Sequence, residues 1–216
     1  MPCAERFLKD KAADIKMSAL KNMHIFLKEV GVDKRSSFIK YIVQTFDEAG
    51  KNEWRLKEIL AKNLGNYAEI FEPNTVYTEF LPMFFKFCSD NVVRVAYSCC
   101  PALASIIAKF NDDDIKQSTI VRVIKTKYLK AKTYKKRQLF AMMMINIMQK
   151  KEIFEKHFKL DFLNMVNDRV PNVRICVAKT LRHHFVKEIS GEFVYDTEVM
   201  GAVRVLKLDT CEDVKS

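Results

Sequence analysis

Apolar residues recur along the chain at three- and four-residue steps, in blocks parted by short polar breaks. That is the periodicity of helices that bury one face. A short helix fragment over about 3–10 is followed by a helix of about 13–30, with Ile15, Ala19, Met23, Ile25, Phe26 and Val30 as its buried stripe. Gly31 stands where a left-handed residue ends a helix, and Ser36 or Ser37 can cap the next one, about 38–48, which Gly50 closes. Its partner, 54–71, carries Leu56, Ile59, Leu60, Leu64 and Tyr67 at helical spacing. Pro73-Asn74 breaks the chain before an apolar helix of 76–88. The helix after it, 92–110, holds Pro101 in its interior, where the missing backbone hydrogen bond predicts a kink. Helices at 115–130, after the 132–136 turn (with Met142, Met143, Met144 and Met148), at 152–167, 171–188 and 193–208 complete the pattern.

The clearest punctuation is Asn167-Asp168-Arg169-Val170-Pro171-Asn172-Val173-Arg174, a stop, a turn and a start. Pro171 suits a first helical turn, Asp168 is placed as a capping acid, and Val173, Val177, Leu181 and Phe185 then fall four apart on one face. The spacing of Asp168 to Arg174 recurs at Asp10 and Lys16 and at Asp209 and Lys215, with weaker copies at Trp54-Arg55-Leu56-Lys57, Asp90-Asn91-Val92-Val93-Arg94 and Tyr134-Lys135-Lys136-Arg137. Taking the basic residue as the marker gives Lys16, Lys57, Arg94, Arg137, Arg174 and Lys215, at steps of 41, 37, 43, 37 and 41 residues. Roughly 40–47 residues is the period of HEAT and armadillo arrays. Ala19, Ala61, Ser98, Ala141 and Ala178 follow the markers and allow close helix approach. The sequence therefore reads as all-α, an α-solenoid of HEAT-like antiparallel helix pairs in five to six repeats: 3–31, 35–72, 74–111, 113–150, 152–189 and an incomplete 193–216. Its short first helix and unfinished last pair read as an array truncated at both ends, since arrays close on repeats with polar outer faces. The turn before Arg94 is two residues shorter than the others.

On those residues the chain resembles the late HEAT repeats of the protein phosphatase 2A scaffold subunit. It is closer still to the C-terminal repeats of the phosphatase 4 regulatory subunit 1 family, whose last repeats carry a similar Asn-Asp-Arg-Val-Pro-Asn-Val-Arg run. Trp54-Arg55-Leu56-Lys57 resembles that family's Trp-Arg-Val-Arg turn, and Asp213-Val214-Lys215 the start of its final helix. The resemblance spans nearly the whole chain in one register. It implies a non-catalytic regulatory or scaffold subunit whose intra-repeat turns grip a phosphatase catalytic subunit. By position, the turn residues are Asn52, Glu53 and Trp54, then Asn91, Tyr134 and Lys135, then Arg169, Pro171 and Asn172. Trp54 has two available fates. It can fold onto the preceding helix as core, or project as an interface anchor; it lies about 160° around the helix from Leu56, and the resemblance favours the anchor.

Composition changes this picture only locally. The net charge is +10, yet between Ile115 and Lys151 there are eleven Lys or Arg and no Asp or Glu, so one stretch holds the whole excess. Lys116, Arg122, Lys125, Lys127, Lys130, Lys132, Lys135, Lys136 and Arg137 form this basic strip. It reads either as the solvated face of an amphipathic helix or as a surface for an acidic partner. Nucleic acid is the alternative function, although only Tyr128 and Tyr134 are there to stack on bases. The six cysteines, without C-x-x-C spacing, read as buried thiols of a reducing compartment, the cytoplasm or nucleus. The longest apolar run, 139–148, falls well short of a membrane span.

No catalytic constellation emerges. His183 and His184 point about 100° apart on a helix and share no metal geometry; His24 and His157 stand alone. Asp112-Asp113-Asp114 is explained by capping and the helix dipole. The Met cluster reads as core filler and Cys88, Cys99 and Cys100 as small hydrophobes. Gly-rich phosphate loops and nucleophile elbows are absent. The sequence implies no enzyme, no cofactor and no metal.

Overall fold

The computed structural model describes residues 6–8, 10, 12–49, 53–187 and 196–215, and in it every regular element is a helix. The chain divides into two units, residues 1–112 and 113–216. In the first, α1 (Ala13–Glu29), α2 (Val32–Glu48) and α3 (Trp54–Ile70) are followed by α4 (Pro73–Thr75), which winds through a wide π turn at Val76–Phe80 into α5 (Leu81–Cys88), and then by α6 (Val93–Ser98) and α7 (Ala102–Ala108). In the second, α8 (Asp114–Ile124) runs into a π turn at Lys125–Leu129. Then come α9 (Tyr134–Ile147), α10 (Lys151–His157), α11 (Lys159–Asn164), α12 (Pro171–Lys187), α13 (Thr197–Lys207) and α14 (Glu212–Lys215). The architecture is the helical solenoid that the periodicity predicts.

Each unit is built in two layers. In the first unit α3 packs between α1 on one side and α6 and α7 on the other. The second layer, α2 with α4 and α5, is tied together by Phe46, edge-on to Phe87 at 5.0 Å, and meets the first at Phe38, edge-on to Phe26 at 5.4 Å. In the second unit α12 lies between α9 and α14, and α11 packs on α13. Phe140, Phe154, Phe158 and Phe162 are buried there, each contributing roughly 1.5–3 kcal/mol through removal from water.

Small residues let the first layer close up. A Cβ at Gly65 of α3 would sit 3.2 Å from the Ala102 Cα of α7, so this glycine admits the neighbouring backbone. Ala61 and Ala141 are buried, and Thr180 of α12 donates its hydroxyl to the Ala141 carbonyl at 3.1 Å. Pro101 does more than kink its helix. The α-helix stops at Ser98 and resumes at Ala102, and Cys99 and Cys100 are buried in the break.

Three local expectations are corrected. Gly31 is not left-handed (φ −57°, ψ 148°), and α2 begins at Val32, six residues before Phe38. The reason is side-chain chemistry. Arg35 donates back to the carbonyls of Val30 and Lys28 at 2.8 and 2.9 Å, closing α1 without a glycine cap, and Ser37 donates to Lys34 O from within the helix. Pro73 opens its helix where a break was expected, as a proline at the first helical position can. The single helix expected over 152–167 is interrupted at Phe158 (φ −127°), whose ring is buried beside Phe140. Gly50 and the start of the helix expected at 193 lie outside the described residues.

Candidate partner-binding ridge

Three of the described turns that join the two layers, one in the first unit and two in the second, are pinned by one repeated device. An aspartate at the start of the turn accepts the backbone N–H two residues on: Asp90 from Val92 at 2.8 Å, Asp168 from Val170 at 2.9 Å and Asp209 from Cys211 at 2.8 Å. The same carboxylate takes a basic side chain from the preceding helix pair. Lys57 reaches Asp90 at 3.2 Å. Arg137 grips Asp168 with both Nε (2.6 Å) and Nη2 (3.0 Å), and Arg174 grips Asp209 likewise at 2.5 and 2.8 Å. Each arginine also donates to backbone carbonyls, Arg137 to Ala131 and Lys132 and Arg174 to Asp168. In the second unit the turns at 131–133, 168–170 and 209–211 are thereby laced side by side. Bidentate, carbonyl-backed arginines fix orientation as well as adding energy. The aspartate and the basic residue six positions later, which the sequence presents as one signal, thus take different charged partners.

Charge and burial follow from this. Arg174 and the Cys211 N–H hold the Asp209 carboxyl down at about 2. Burial pushes Asp168 up, and Arg137 with the Val170 N–H more than reverses that, leaving it below the usual carboxylate range. Arg94 departs from the pattern. It reaches no turn aspartate and pairs with the buried Glu58 at 2.9 Å while remaining largely exposed.

Apart from Glu53 and Trp54, which follow residues outside the described set, the expected contact residues fall on or beside these pinned turns. In the first unit Glu53 and Asn91 are exposed; Trp54 is half-buried, with Arg55 4.6 Å and Arg94 5.9 Å from its ring centre. In the second unit Tyr134, Lys135, Arg169, Pro171 and Asn172 are exposed, and the Asn172 carbonyl is held by Gln138 at 3.1 Å. Asn52 lies outside the described residues. Trp54 is therefore neither fully core nor fully projecting: two guanidiniums lie near its ring, and part of its surface stays in solvent.

The basic strip survives only in part. Arg137 leaves it, being 8% exposed and committed to Asp168. Lys116 pairs with Asp113 at 3.1 Å, and Lys125 with Asp161 at 2.7 Å. Arg122, Lys127, Lys130, Lys132, Lys135 and Lys136 are exposed. Replacing Lys130, Lys132, Lys135 and Lys136 together by Glu is expected to leave the unfolding free energy within about 0.5 kcal/mol per site of the parent, because none supports the core. A thermal melt followed by circular dichroism checks this; a collapsed helical signal would show the strip to be structural.

The remaining chemistry-bearing residues are structural in their contacts. Asp113 caps α8 through the Lys116 N–H, and Asp114 pairs with Lys156 at 2.8 Å. His157 bonds Gln117 at 2.9 Å, and burial pushes its pKa down. Cys88 and Cys99 are in sulfur contact at 3.3 Å, and that contact together with burial pushes the Cys99 thiol far up. Among the described residues no His, Cys, Asp and Glu cluster is arranged to hold a metal, and no helix is long and apolar enough to cross a membrane.

No family model matches the chain. A designed armadillo repeat protein aligns with 99% of it, covering 94% of the designed chain, at 14% identity and a TM-score of 0.49. In sequence, the human, mouse and rat proteins named serine/threonine-protein phosphatase 4 regulatory subunit 1 each align over 224 residues at 24% identity, covering 100% of this chain. The chain spans 24% of the human protein's length and 23% of the rodent proteins'. From end to end, the chain is similar in sequence to a segment of the longer phosphatase 4 regulatory subunit 1.

Proposed function

We propose that this chain is a non-catalytic regulatory or scaffold segment of a serine/threonine protein phosphatase of the phosphatase 4 or 2A type, acting in the cytoplasm or nucleus. It holds the catalytic subunit along the intra-repeat turns of its helix-pair array, and the hydrolytic chemistry belongs to that partner. The observation that carries this reading is the sequence similarity to phosphatase 4 regulatory subunit 1 over 100% of the chain. The pinned turns support the contact mode: their backbones are fixed before binding, so little ordering cost is incurred when a partner docks. Affinity capture with the tagged chain tests the assignment. A phosphatase 4 or 2A catalytic subunit is the expected co-purifying protein, and its absence, with strongly salt-dependent capture of nucleic acid instead, overturns the reading.

Trp54 is the anchor of this contact in the first unit. Large aromatics flanked by arginine are typical of residues that dominate binding energy. Trp54→Ala is expected to weaken catalytic-subunit binding by about 2 kcal/mol or more while costing about 1 kcal/mol or less in stability, since the ring is half-buried. Calorimetric titration paired with thermal unfolding separates the two. Parental affinity, or a stability loss large enough to explain the weakening, would make Trp54 part of the scaffold.

A further inference from the structure

The cations around the turn at 131–133 carry charge that the fold leaves unanswered. Of the eleven Lys and Arg between Ile115 and Lys151, Lys116, Lys125 and Arg137 are taken up by Asp113, Asp161 and Asp168. Lys130, Lys132, Lys135 and Lys136 are exposed and form no ion pair with a carboxylate among the described residues. Exposed Arg169 joins them from the next turn. Arg137 donates to Ala131 O and Lys132 O while it grips Asp168, so one guanidinium holds the turns at 131–133 and 168–170 side by side. The cluster also stands against local preference. Lys135 and Lys136 occupy the first turn of α9, the positive end of its dipole, where cations are disfavoured. That turn holds no acid, and Thr133 lends it no side-chain cap. These charges do nothing for the stability of the helix they begin, and positions that break local rules are commonly functional.

We propose that Lys130, Lys132, Lys135, Lys136 and Arg169 bind an acidic, extended segment of a partner protein, whose carboxylates are spaced along the two turns. The inference deepens the ridge reading and rests on it for the use of these turns as a contact surface. A string of single carboxylates suits the cluster better than one phosphate group. Compact phosphate recognition draws on guanidinium forks, and Arg137, the fork of this turn, is committed to Asp168. The lysines are separate point charges on flexible stems. Nucleic acid suits it less, because stacking surface is short: Tyr128 and Phe140 are buried, which leaves Tyr134 as the exposed aromatic of the stretch. Tyr134 instead offers an apolar contact beside the cations. Arg137 has already fixed the turn backbones, so the segment meets charges whose supports need no reordering. Such attraction speeds encounter and weakens as salt rises.

The test is fluorescence anisotropy of the intact chain with a labelled peptide of alternating Glu and Ser, about 12 residues or roughly 40 Å when extended. The parent is expected to bind it at about 50 mM salt and more weakly at about 150 mM. Lys130→Glu, Lys132→Glu, Lys135→Glu and Lys136→Glu combined are expected to weaken binding at least about tenfold. A control reverses four other exposed lysines, Lys21, Lys28, Lys34 and Lys207, and so changes the net charge equally. It is expected to weaken binding by less than about threefold. Arg169→Glu alone is expected to weaken it by about threefold or more. Circular dichroism checks each variant, and should the cluster variant lose its helices, Arg169→Glu decides. Equal losses in the cluster and control variants overturn the proposal, because attraction then follows net charge alone. No binding of the peptide by the parent at the lower salt overturns it too. So does a single-stranded RNA of equal charge that binds more tightly through the same lysines, since nucleic acid is then the occupant. The catalytic subunit is absent from this assay, so failure here leaves the phosphatase assignment standing, and failure of that assignment is read separately by affinity capture.

Discussion

Replacing Asp168 with Ala is expected to destabilise the C-terminal unit by about 3 kcal/mol, at the lower end of the cost of removing one partner from a buried ion pair. The side chains of Asp168 and Arg137 are each only 10% exposed. Without the carboxylate, the guanidinium keeps its bonds to Ala131 O and Lys132 O but loses both charged contacts in a site that water reaches poorly. The turn at 168–170 also loses the acceptor for the Val170 N–H. The effect has a pH signature. Asp168 and Asp209 both have folded-state pKa values below the unfolded carboxylate range of about 3.9. Their contribution to stability is therefore fully present above that range and is lost as the pH falls through the folded values, which for Asp209 is about 2. Chemical denaturation of parent and Asp168→Ala across pH 7 to about 2 is expected to show curves that converge on the acid side. A gap that stays constant with pH would mean the carboxylate acts by packing and not by charge. Pairing the variant with Arg137→Ala in a double-mutant cycle isolates the pair, and strong coupling is expected because the residues share a direct contact.

Leu181→Ala is the second large effect, expected to cost about 3 kcal/mol within the 2–5 kcal/mol span of leucine truncations. Leu181 is 1% exposed and continues the α12 stripe of Val173 and Val177, both fully buried against the neighbouring helices. Its far side lines a cleft between α12 and α13, so part of the void opens toward solvent, which keeps the cost below the upper limit. Helical repeats couple chiefly to their neighbours. Amide exchange is therefore expected to rise first in α12, α13 and α14, with α1, α3 and α7 retaining protection at the same denaturant concentration. Unchanged thermal unfolding would contradict the burial of this face.

The helices that bury one regular face were legible in the sequence because packing simply reinforces their periodicity. The α12 stripe from Val173 to Leu181 and the α3 stripe through Leu56, Leu60 and Leu64 are buried as their spacing predicts; Phe185 falls outside the described side chains. Ile59, expected in the same stripe, is only half-buried. Boundaries were less legible where a distant or long side chain replaces the usual cap. Arg35 closes α1 from within α2, a solution that short-range signals at Gly31 and Ser37 conceal. The break at Phe158 carries no proline or glycine, and its buried ring is a tertiary fact.

The candidate ridge was legible as a set of turns, but not as a lattice. Arg137 reads as one more cation in a basic stretch until the fold brings it to Asp168, 31 residues away. The signal that separates it from its neighbours was present: it occupies the marker position of its repeat, as Lys57 and Arg174 do, and all three reach the aspartate of the next turn. The surrounding lysines lack that register, and they stay in solvent.

The most direct test of the central claim is a binding titration between this chain and a purified phosphatase 4 catalytic subunit, run beside a variant with Asn91, Tyr134, Arg169 and Asn172 all changed to Ala. These four side chains are exposed on or beside the pinned turns, so the variant is expected to keep the parent's helical signal and unfolding midpoint. The turn-ridge account expects saturable binding by the parent and at least about a tenfold loss in the variant, the scale of a disrupted hot spot. Equal affinity of parent and variant, or no measurable binding by the parent, would contradict it.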